Sequence, residues 1–102
     1  MARFRFSRRA RADIDRITEY TLQTWGPAQA SGYIAQLEGS CELLAGNPLM
    51  GRKCDDVHPG LRRMEKGKHV VFYQPEGRGI LVVRILHQRM LPARHVMDEP
   101  DD

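Results

Sequence analysis

The sequence lacks the features that mark disulfide-stabilised, zinc-binding and membrane-spanning proteins. Among its 102 residues it has two cysteines, Cys41 and Cys54, with no CxxC or HxxxH partner, so neither a zinc site nor a disulfide framework is expected. No stretch approaches the ~20 apolar residues of a membrane-spanning helix. The N-terminus has no apolar run of signal-peptide length. We therefore expect a cytoplasmic protein with no metal, no cofactor and no membrane partner.

Internal repeats and low-complexity linkers are absent too, and the acidic residues are unevenly distributed. A chain of this length has the size of one domain, which we expect to span residues 1–97. Residues 98–102 hold four of the 13 acidic residues, and we expect them to form a disordered tail. Removing those four charges from the net +3 of the chain leaves +7 on the domain. Such a domain attracts an acidic partner, either a protein or a nucleic acid.

The first quarter of the chain has the pattern of a short strand followed by a helix. Arg3–Phe6 alternates between basic and aromatic residues, which is the period of a half-buried strand. Ser7 suits the N-cap of the segment that follows it. Apolar residues at helical spacing then predict a helix over residues 8–25, with a stripe that continues to Trp25.

A second helix is predicted over residues 27–46, directly after Gly26 and Pro27. Gly46 ends it, and Asn47 and Pro48 form a turn. Because the link between the helices is so short, we expect an antiparallel helical hairpin. The stripe residues expected in the core are Ile14, Ile17, Ile34, Leu37 and Leu44. Cys41 lies on the same stripe and is interpreted as a small buried hydrophobic residue.

Strand patterns dominate the rest of the chain. Residues 48–60 are interpreted as a loop, because Gly, Pro and Asp interrupt every period there. Strands are predicted over residues 61–66, 69–74 and 80–87. The order β-α-α-β-β-β predicts an α+β fold with a mainly antiparallel sheet and the N-terminal helical hairpin packed on one face.

The two strongest strands are apolar on both faces, although a helical hairpin can cover only one. In the last strand the alternating positions Ile80 and Val82 face one side, and Leu81 and Val83 face the other. The uncovered face would expose an apolar patch of the kind that marks an interface. The alternative is that the C-terminal segment folds back over that face. The surface therefore indicates a partner unless this segment covers it.

Arg84 is unusual because it lies in the middle of this aliphatic strand. A charge there is costly unless it is paired or exposed. One interpretation is an ion pair with Glu65 or with an acidic residue of a helix. The other is a contact from a groove to a phosphate or carboxylate of a partner. On the contact interpretation, Arg84→Ala weakens function and leaves the fold intact.

Several motifs stand out between about Phe4 and Arg89. They are Val82-Val83-Arg84-Ile85-Leu86-His87-Gln88-Arg89 in the last strand, Gly60-Leu61-Arg62 and His69-Val70-Val71-Phe72-Tyr73 before it, Asn47-Pro48-x-x-Gly51-Arg52 after the second helix, and Ser7, Ala10, Asp13, Ile14, Ile17 and Tyr20 in the first helix. The most specific of them is the "v-R-I-L-H-x-R" pattern of the last strand. Together they resemble the motifs of the ParE toxin family, within the ParE/RelE superfamily of type II toxin–antitoxin systems.

The resemblance implies a bacterial toxin that inhibits or poisons DNA gyrase by binding, without an enzymatic activity of its own. It also implies a hetero-oligomer with a ParD-like antitoxin, which neutralises the toxin and carries the operator-DNA-binding fold. Contact with operator DNA would therefore be made only through the antitoxin. The residues assigned to target contact or toxicity are Arg84, His87 and Arg89.

The rival interpretation is a ribosome-dependent messenger RNA endoribonuclease, because RelE-like relatives share this fold. Such chemistry needs a base, an acid and cations near the phosphate. His87 or Glu65 are the acid–base candidates, and the candidate cations are Arg62, Arg63, Arg84 and Arg89. Strand alternation predicts that Arg84 and His87 point to opposite faces, which argues against this rival. Direct nucleic-acid binding is a third class, favoured by the basic N-terminal region.

Overall fold

The computed structural model describes residues 3–90, and the predicted domain end at residue 97 and the acidic tail lie outside them. Two helices follow a first short strand, and four further strands complete the sheet. In chain order the elements are β1 (Arg3–Phe6), α1 (Arg8–Trp25), α2 (Pro27–Gly46), β2 (Arg52–Lys53), β3 (Arg62–Lys66), β4 (His69–Glu76) and β5 (Gly79–His87), followed by a 3₁₀ turn at Gln88–Met90. The predicted α+β class and the N-terminal helical hairpin are confirmed.

The helix boundaries follow from local capping chemistry. The Ser7 hydroxyl accepts a hydrogen bond from the Ala10 backbone N–H at 3.0 Å, which confirms the predicted N-cap. Gly26 separates the helices with φ of 93°, a left-handed conformation that glycine adopts without a steric penalty. Pro27 then occupies the first turn of α2, where its missing N–H has no helical partner to lose.

Within residues 3–90 the sheet has five strands, in the order β1-β5-β4-β3-β2. All pairings are antiparallel except β1 with β5, which is parallel. One correction concerns residues 48–60, which were predicted to be a loop throughout but contain β2, with Arg52 paired to Arg63 of β3. A two-residue strand is too short to show an alternating pattern, so the sequence carried no signal for it.

Apolar cores lie on both faces of the sheet. The larger core joins the helices to the sheet and contains the predicted residues Ile17, Leu37 and Leu44, with Ile14 and Ile34 partly buried against it. The core on the other face consists of Cys54, Leu61, Val70, Phe72, Val83 and Leu86, with Val57 and Leu81 packed against it. The segment between α2 and β3 therefore helps to cover the face that was expected to need a partner or the C-terminal segment. Within the described range, neither helix is long and apolar enough to cross a membrane.

Candidate functional site

A groove of about 680 Å³ opens along α1 beside the C-terminal end of β5. Apolar, aromatic and basic side chains share its lining. Tyr20 and Trp25 of α1 are 67% and 65% exposed, and Met90 is 48% exposed. Other lining residues are Asp13, Arg16, Ile17 and Thr21 of α1, Gln29 and Tyr33 of α2, Gly67, Lys68 and His69 around the β3–β4 turn, and Ile85, Leu86, His87 and Arg89 at the end of β5.

The groove exists because β1 pairs with only the first half of β5. After Phe6, which lies opposite Val82, the chain turns into α1, and no other strand within residues 3–90 pairs with the remaining edge of β5. Side chains at the start of α1 and within it form hydrogen bonds with the backbone of this edge instead. Ser7 donates its hydroxyl proton to the Val83 carbonyl at 2.8 Å, and the Asp13 carboxylate accepts the Ile85 N–H at 2.9 Å.

Arg84 forms the helix ion pair that was one of its two predicted interpretations. Its guanidinium donates two hydrogen bonds to the Asp13 carboxylate, at 2.8 and 3.0 Å. The two side chains are 6% and 3% exposed, so the pair is buried. Arg16 donates a further hydrogen bond to the same carboxylate at 2.6 Å. The Arg84 guanidinium therefore lies inside the protein in this structure, where it supports the groove from behind, and is not presented on the surface.

His69, His87 and Tyr33 meet at one end of the groove. The Tyr33 hydroxyl lies 2.6 Å from Nδ1 of His69, and the His69 and His87 rings are edge to face with their centroids 5.3 Å apart. Burial lowers the pKa of His69, the neighbouring His87 lowers it further, and Asp13 opposes both effects. Neutral His69 is therefore favoured, with one ring nitrogen able to share a proton with Tyr33.

His87 and Arg89, two of the three predicted contact residues, line the groove. His87 ends β5 half-buried, and the 3₁₀ turn brings the Arg89 N–H within 3.0 Å of its Nδ1. That nitrogen accepts the hydrogen bond, so the other ring nitrogen is the one left to bond with a partner. Arg89 itself is exposed. The pair thus combines a half-buried imidazole with a solvent-facing guanidinium.

Of the other residues considered for a ribonuclease, Arg89 lies beside His87, whereas Glu65, Arg62 and Arg63 do not. Arg52 and Arg63 make ion pairs with Glu65 on the β2–β3 side of the sheet. Arg62 donates to the backbone carbonyls of Leu49 and Gly51. None of Glu65, Arg62 and Arg63 lines the groove.

Several groove residues were not predicted from the sequence. Trp25 was placed on the apolar stripe of α1, but it is the last residue of the helix and is largely exposed in the groove. His69 was counted only as part of a strand, although it is paired in register with His87. A register prediction for β4 and β5 would have brought the two histidines together. No strand register or other sequence pattern predicted that Tyr20 and Tyr33 would line the groove.

The cysteines and the remaining titratable groups do not form a metal site in the part of the chain described. No group of three or more His, Cys, Asp or Glu residues with metal-binding geometry occurs between residues 3 and 90. Cys41 and Cys54 are both free and buried. Burial raises the pKa of the Cys41 thiol to about 12, so it stays protonated, as a packing residue does.

Comparison with known proteins gives a consistent family. The family model described as the ParE toxin of the type II toxin–antitoxin system parDE matches residues 4–92. Toxin ParE1 of Caulobacter vibrioides is 41% identical over 96 residues, covering 94% of this chain and 99% of that protein. Toxin ParE1 of Mycobacterium tuberculosis is 40% identical over 90 residues, covering 87% of this chain and 92% of that protein.

A solved structure supports the same fold. The chain is similar to one in the chromosomal ParDE TA system from P. aeruginosa, with a TM-score of 0.71 at 24% identity. The match covers 85% of this chain and 96% of that chain. With a family model spanning nearly all the described residues and relatives of about 40% identity over most of their length, the chain belongs to the ParE toxin family of type II toxin–antitoxin systems.

Proposed function

We propose that this ParE-family toxin inhibits or poisons DNA gyrase by binding to it, and that a ParD-like antitoxin neutralises it by occupying the groove. The observation that most directly supports this proposal is the groove, which combines exposed aromatic side chains with basic side chains. Exposed Tyr and Trp are the side chains that most often dominate binding energy at interfaces. Because gyrase acts on the bacterial chromosome, this function places the protein in the cytoplasm.

The groove has the chemistry to receive a segment of the antitoxin. Tyr20, Trp25 and Met90 offer apolar surface to one face of an amphipathic helix. Arg16, Lys68 and Arg89 are exposed and offer cations to its acidic residues. The net charge of +7 on residues 1–97 attracts such an acidic segment over a longer range. The resulting complex is a hetero-oligomer, and operator DNA is contacted through its antitoxin.

His87 and Arg89 are the proposed target contacts within the groove, and the antitoxin neutralises the toxin by covering them. Arg84 contributes through position, since its buried ion pair with Asp13 joins α1 to the strand that carries His87. Binding to gyrase needs no catalytic group. The protein is therefore proposed to act without an enzymatic activity of its own.

The test is inhibition of purified gyrase together with the response of cells that express the toxin alone. We expect loss of DNA supercoiling in vitro, and filamentation with an SOS response and intact messenger RNA in cells. Adding the antitoxin should restore supercoiling. Normal supercoiling at saturating toxin, with no DNA damage response, would refute gyrase as the target.

The second candidate is a messenger RNA endoribonuclease, and the His69–His87 pair is the observation that favours it. Two imidazoles 5.3 Å apart could act as acid and base on one phosphodiester. Lys68 and Arg89, which line the same groove, would stabilise the extra negative charge of the transition state. Rapid cleavage of messenger RNA on ribosomes, abolished by His87→Gln and without DNA damage, would establish this candidate in place of gyrase inhibition.

A further inference from the structure

A second exposed apolar surface lies away from the groove, in the loop that follows α2. Leu49 and Met50 are 70% and 46% exposed, and Leu43, in the last turns of α2, is 48% exposed. Asn47 links the two parts, because its side-chain amide donates to the Leu43 carbonyl at 3.0 Å. We call Leu43, Leu49 and Met50 the loop surface. Leu49 and Met50 belong to the Pro48-x-x-Gly51-Arg52 motif, for which the proposed function gives no role.

Hydrogen bonds from side chains of the sheet hold the backbone of this loop in place. The hydroxyl of Tyr73, a fully buried residue, donates to the Pro48 carbonyl and accepts the Gly51 N–H, both at 2.8 Å. Arg62 donates to the carbonyls of Leu49 and Gly51, at 2.9 and 2.6 Å. Four hydrogen bonds from two side chains of the sheet therefore hold the four consecutive peptide groups between Pro48 and Arg52.

Gly51 allows this close approach between the loop and the sheet. A Cβ atom at this position would lie 2.5 Å from the Tyr73 hydroxyl oxygen and 2.8 Å from the Arg63 carbonyl oxygen. Only glycine therefore fits without displacing the backbone of β3. The sheet supports the backbone, whereas the Leu49 and Met50 side chains remain exposed to solvent.

A loop that only connects two elements does not require exposed leucine and methionine. Holding the backbone that carries such side chains has a defined advantage in binding, because little backbone conformational entropy is then lost when a partner binds them. The bracing and the exposure together indicate an anchor that is preorganised for insertion into a partner.

We propose that Leu49 and Met50 are the anchor by which this toxin engages its protein target, and that they insert into an apolar pocket bordered by carboxylates. The charge of the neighbouring strand supports the presence of carboxylates on the partner, since Arg52 and Lys53 of the edge strand β2 are both exposed and Glu65 balances only one of them, through its ion pair with Arg52. A projecting anchor needs a pocket that already exists, which a folded protein provides. A groove, in contrast, accepts a helix or an extended segment. This inference rests on the proposed function, in which gyrase is the target.

The loop surface and the groove are distinct parts of the molecule. None of the loop-surface residues lines the groove. Along α2, the 13 residue-to-residue steps from Tyr33 to Gly46 correspond to about 20 Å. Across the sheet, β2 is separated from β5 by β3 and β4, a spacing of roughly 14 Å. A partner seated in the groove can therefore leave the loop surface uncovered.

The test is a double variant, Leu49→Gln with Met50→Gln, measured against Leu22→Gln as the matched control. Leu22 is 45% exposed on α1 and does not line the groove. We expect the double variant to inhibit gyrase about tenfold or more less effectively, as loss of a central anchor does. Its thermal unfolding midpoint and its antitoxin affinity should remain those of the wild type. The control should match the wild type in all three measurements.

Each other outcome overturns a defined part of the argument. Undiminished gyrase inhibition by the double variant refutes the anchor and leaves gyrase inhibition standing. Weakened antitoxin binding with undiminished inhibition assigns the loop surface to the antitoxin, which also refutes it. If the wild type does not inhibit gyrase, the proposed function fails, and growth arrest in cells becomes the measurement. Unchanged growth arrest by the double variant then refutes the anchor, and its loss supports an anchor for a different protein target.

Tyr73→Phe tests whether rigidity matters independently of the apolar side chains. This change removes the bonds to Pro48 and Gly51 and leaves Leu49 and Met50 in place. We expect gyrase inhibition to weaken severalfold while antitoxin affinity is unchanged. A purely structural role for the hydroxyl would lower the unfolding midpoint with no change in the inhibition by the folded protein, and that result would refute the bracing argument.

Discussion

The groove and the loop surface both expose apolar side chains, but they are built in opposite ways. In the groove, Tyr20 and Trp25 project from α1 beside the edge of β5, and the recess that they help to line is open to solvent. At the loop surface, Leu49 and Met50 project from a backbone that Tyr73 and Arg62 hold in place. A recess suits a partner segment that folds into it, and a rigid projection suits a partner with a preformed pocket. The two surfaces therefore suit two different modes of binding on one small domain.

The largest expected effect is that of Arg84→Ala, because it removes one member of the buried pair behind the groove. Asp13 would keep Arg16 but would lose two hydrogen bonds in a buried position. Breaking a buried ion pair typically costs about 3–5 kcal/mol of unfolding free energy. Urea denaturation should show this loss. Arg16→Ala, at the exposed partner of Asp13, is the control and should have a much smaller effect. A variant as stable as the wild type but no longer toxic would instead favour direct contact by Arg84.

Trp25→Ala should weaken antitoxin binding by about 2 kcal/mol or more, as loss of a large aromatic anchor does. Unfolding free energy should change little, because the side chain is 65% exposed. Titration calorimetry with the antitoxin provides the measurement, and Leu22→Ala provides an exposed control on the same helix. Equal antitoxin affinity for Trp25→Ala and wild type would show that the antitoxin does not use Trp25 in the groove as an anchor.

His69 should make the stability of the groove region depend on pH. Its pKa is lowered in the folded protein, mainly by burial, so the unfolded chain binds more protons between the lowered pKa and the ordinary value of about 6.5. Its contribution to stability is therefore present above the unfolded pKa and is lost as pH falls through the folded pKa.

Thermal unfolding from about pH 8 down to about pH 5 covers this window. The decrease should be smaller for His69→Gln than for the wild type. Carboxylates such as Glu65 and Glu76, whose pKa values are lowered, contribute chiefly at more acidic pH and are common to both proteins. Identical pH profiles for the two proteins would contradict the assignment of the lowered pKa to His69.

The smallest expected effect is that of Leu43→Gln, at the margin of the loop surface. Residues around an anchor exclude water but contribute little energy themselves. Gyrase inhibition should decrease only a fewfold, and antitoxin affinity should not change. A loss as large as that of the Leu49 and Met50 double variant would show that the anchor is centred on α2 and not on the loop.

Much of the fold was predictable because it depends on local chemistry. The boundaries of α1 and α2 were predicted from Ser7, Gly26 and Pro27, and the structure has them at the same positions. The order of the elements and the main strands were also predicted. The family followed from motifs along β3, β4 and β5, and the comparisons confirm it. The site was less predictable, since only His87 and Arg89 of the predicted contact residues line the groove.

The sequence by itself determined both helices, the main strands, their order and the family, because capping residues, periodicity and motifs act over a few neighbouring positions. Tertiary structure decided which residues share a surface. Asp13 and Arg84 are 71 positions apart, and Gly51 and Tyr73 are 22 apart, so no local pattern links the partners. Strand register brought His69 beside His87. Such contacts depend on packing distant segments against one sheet, which is why the buried Arg84, the groove and the braced loop appeared only in three dimensions.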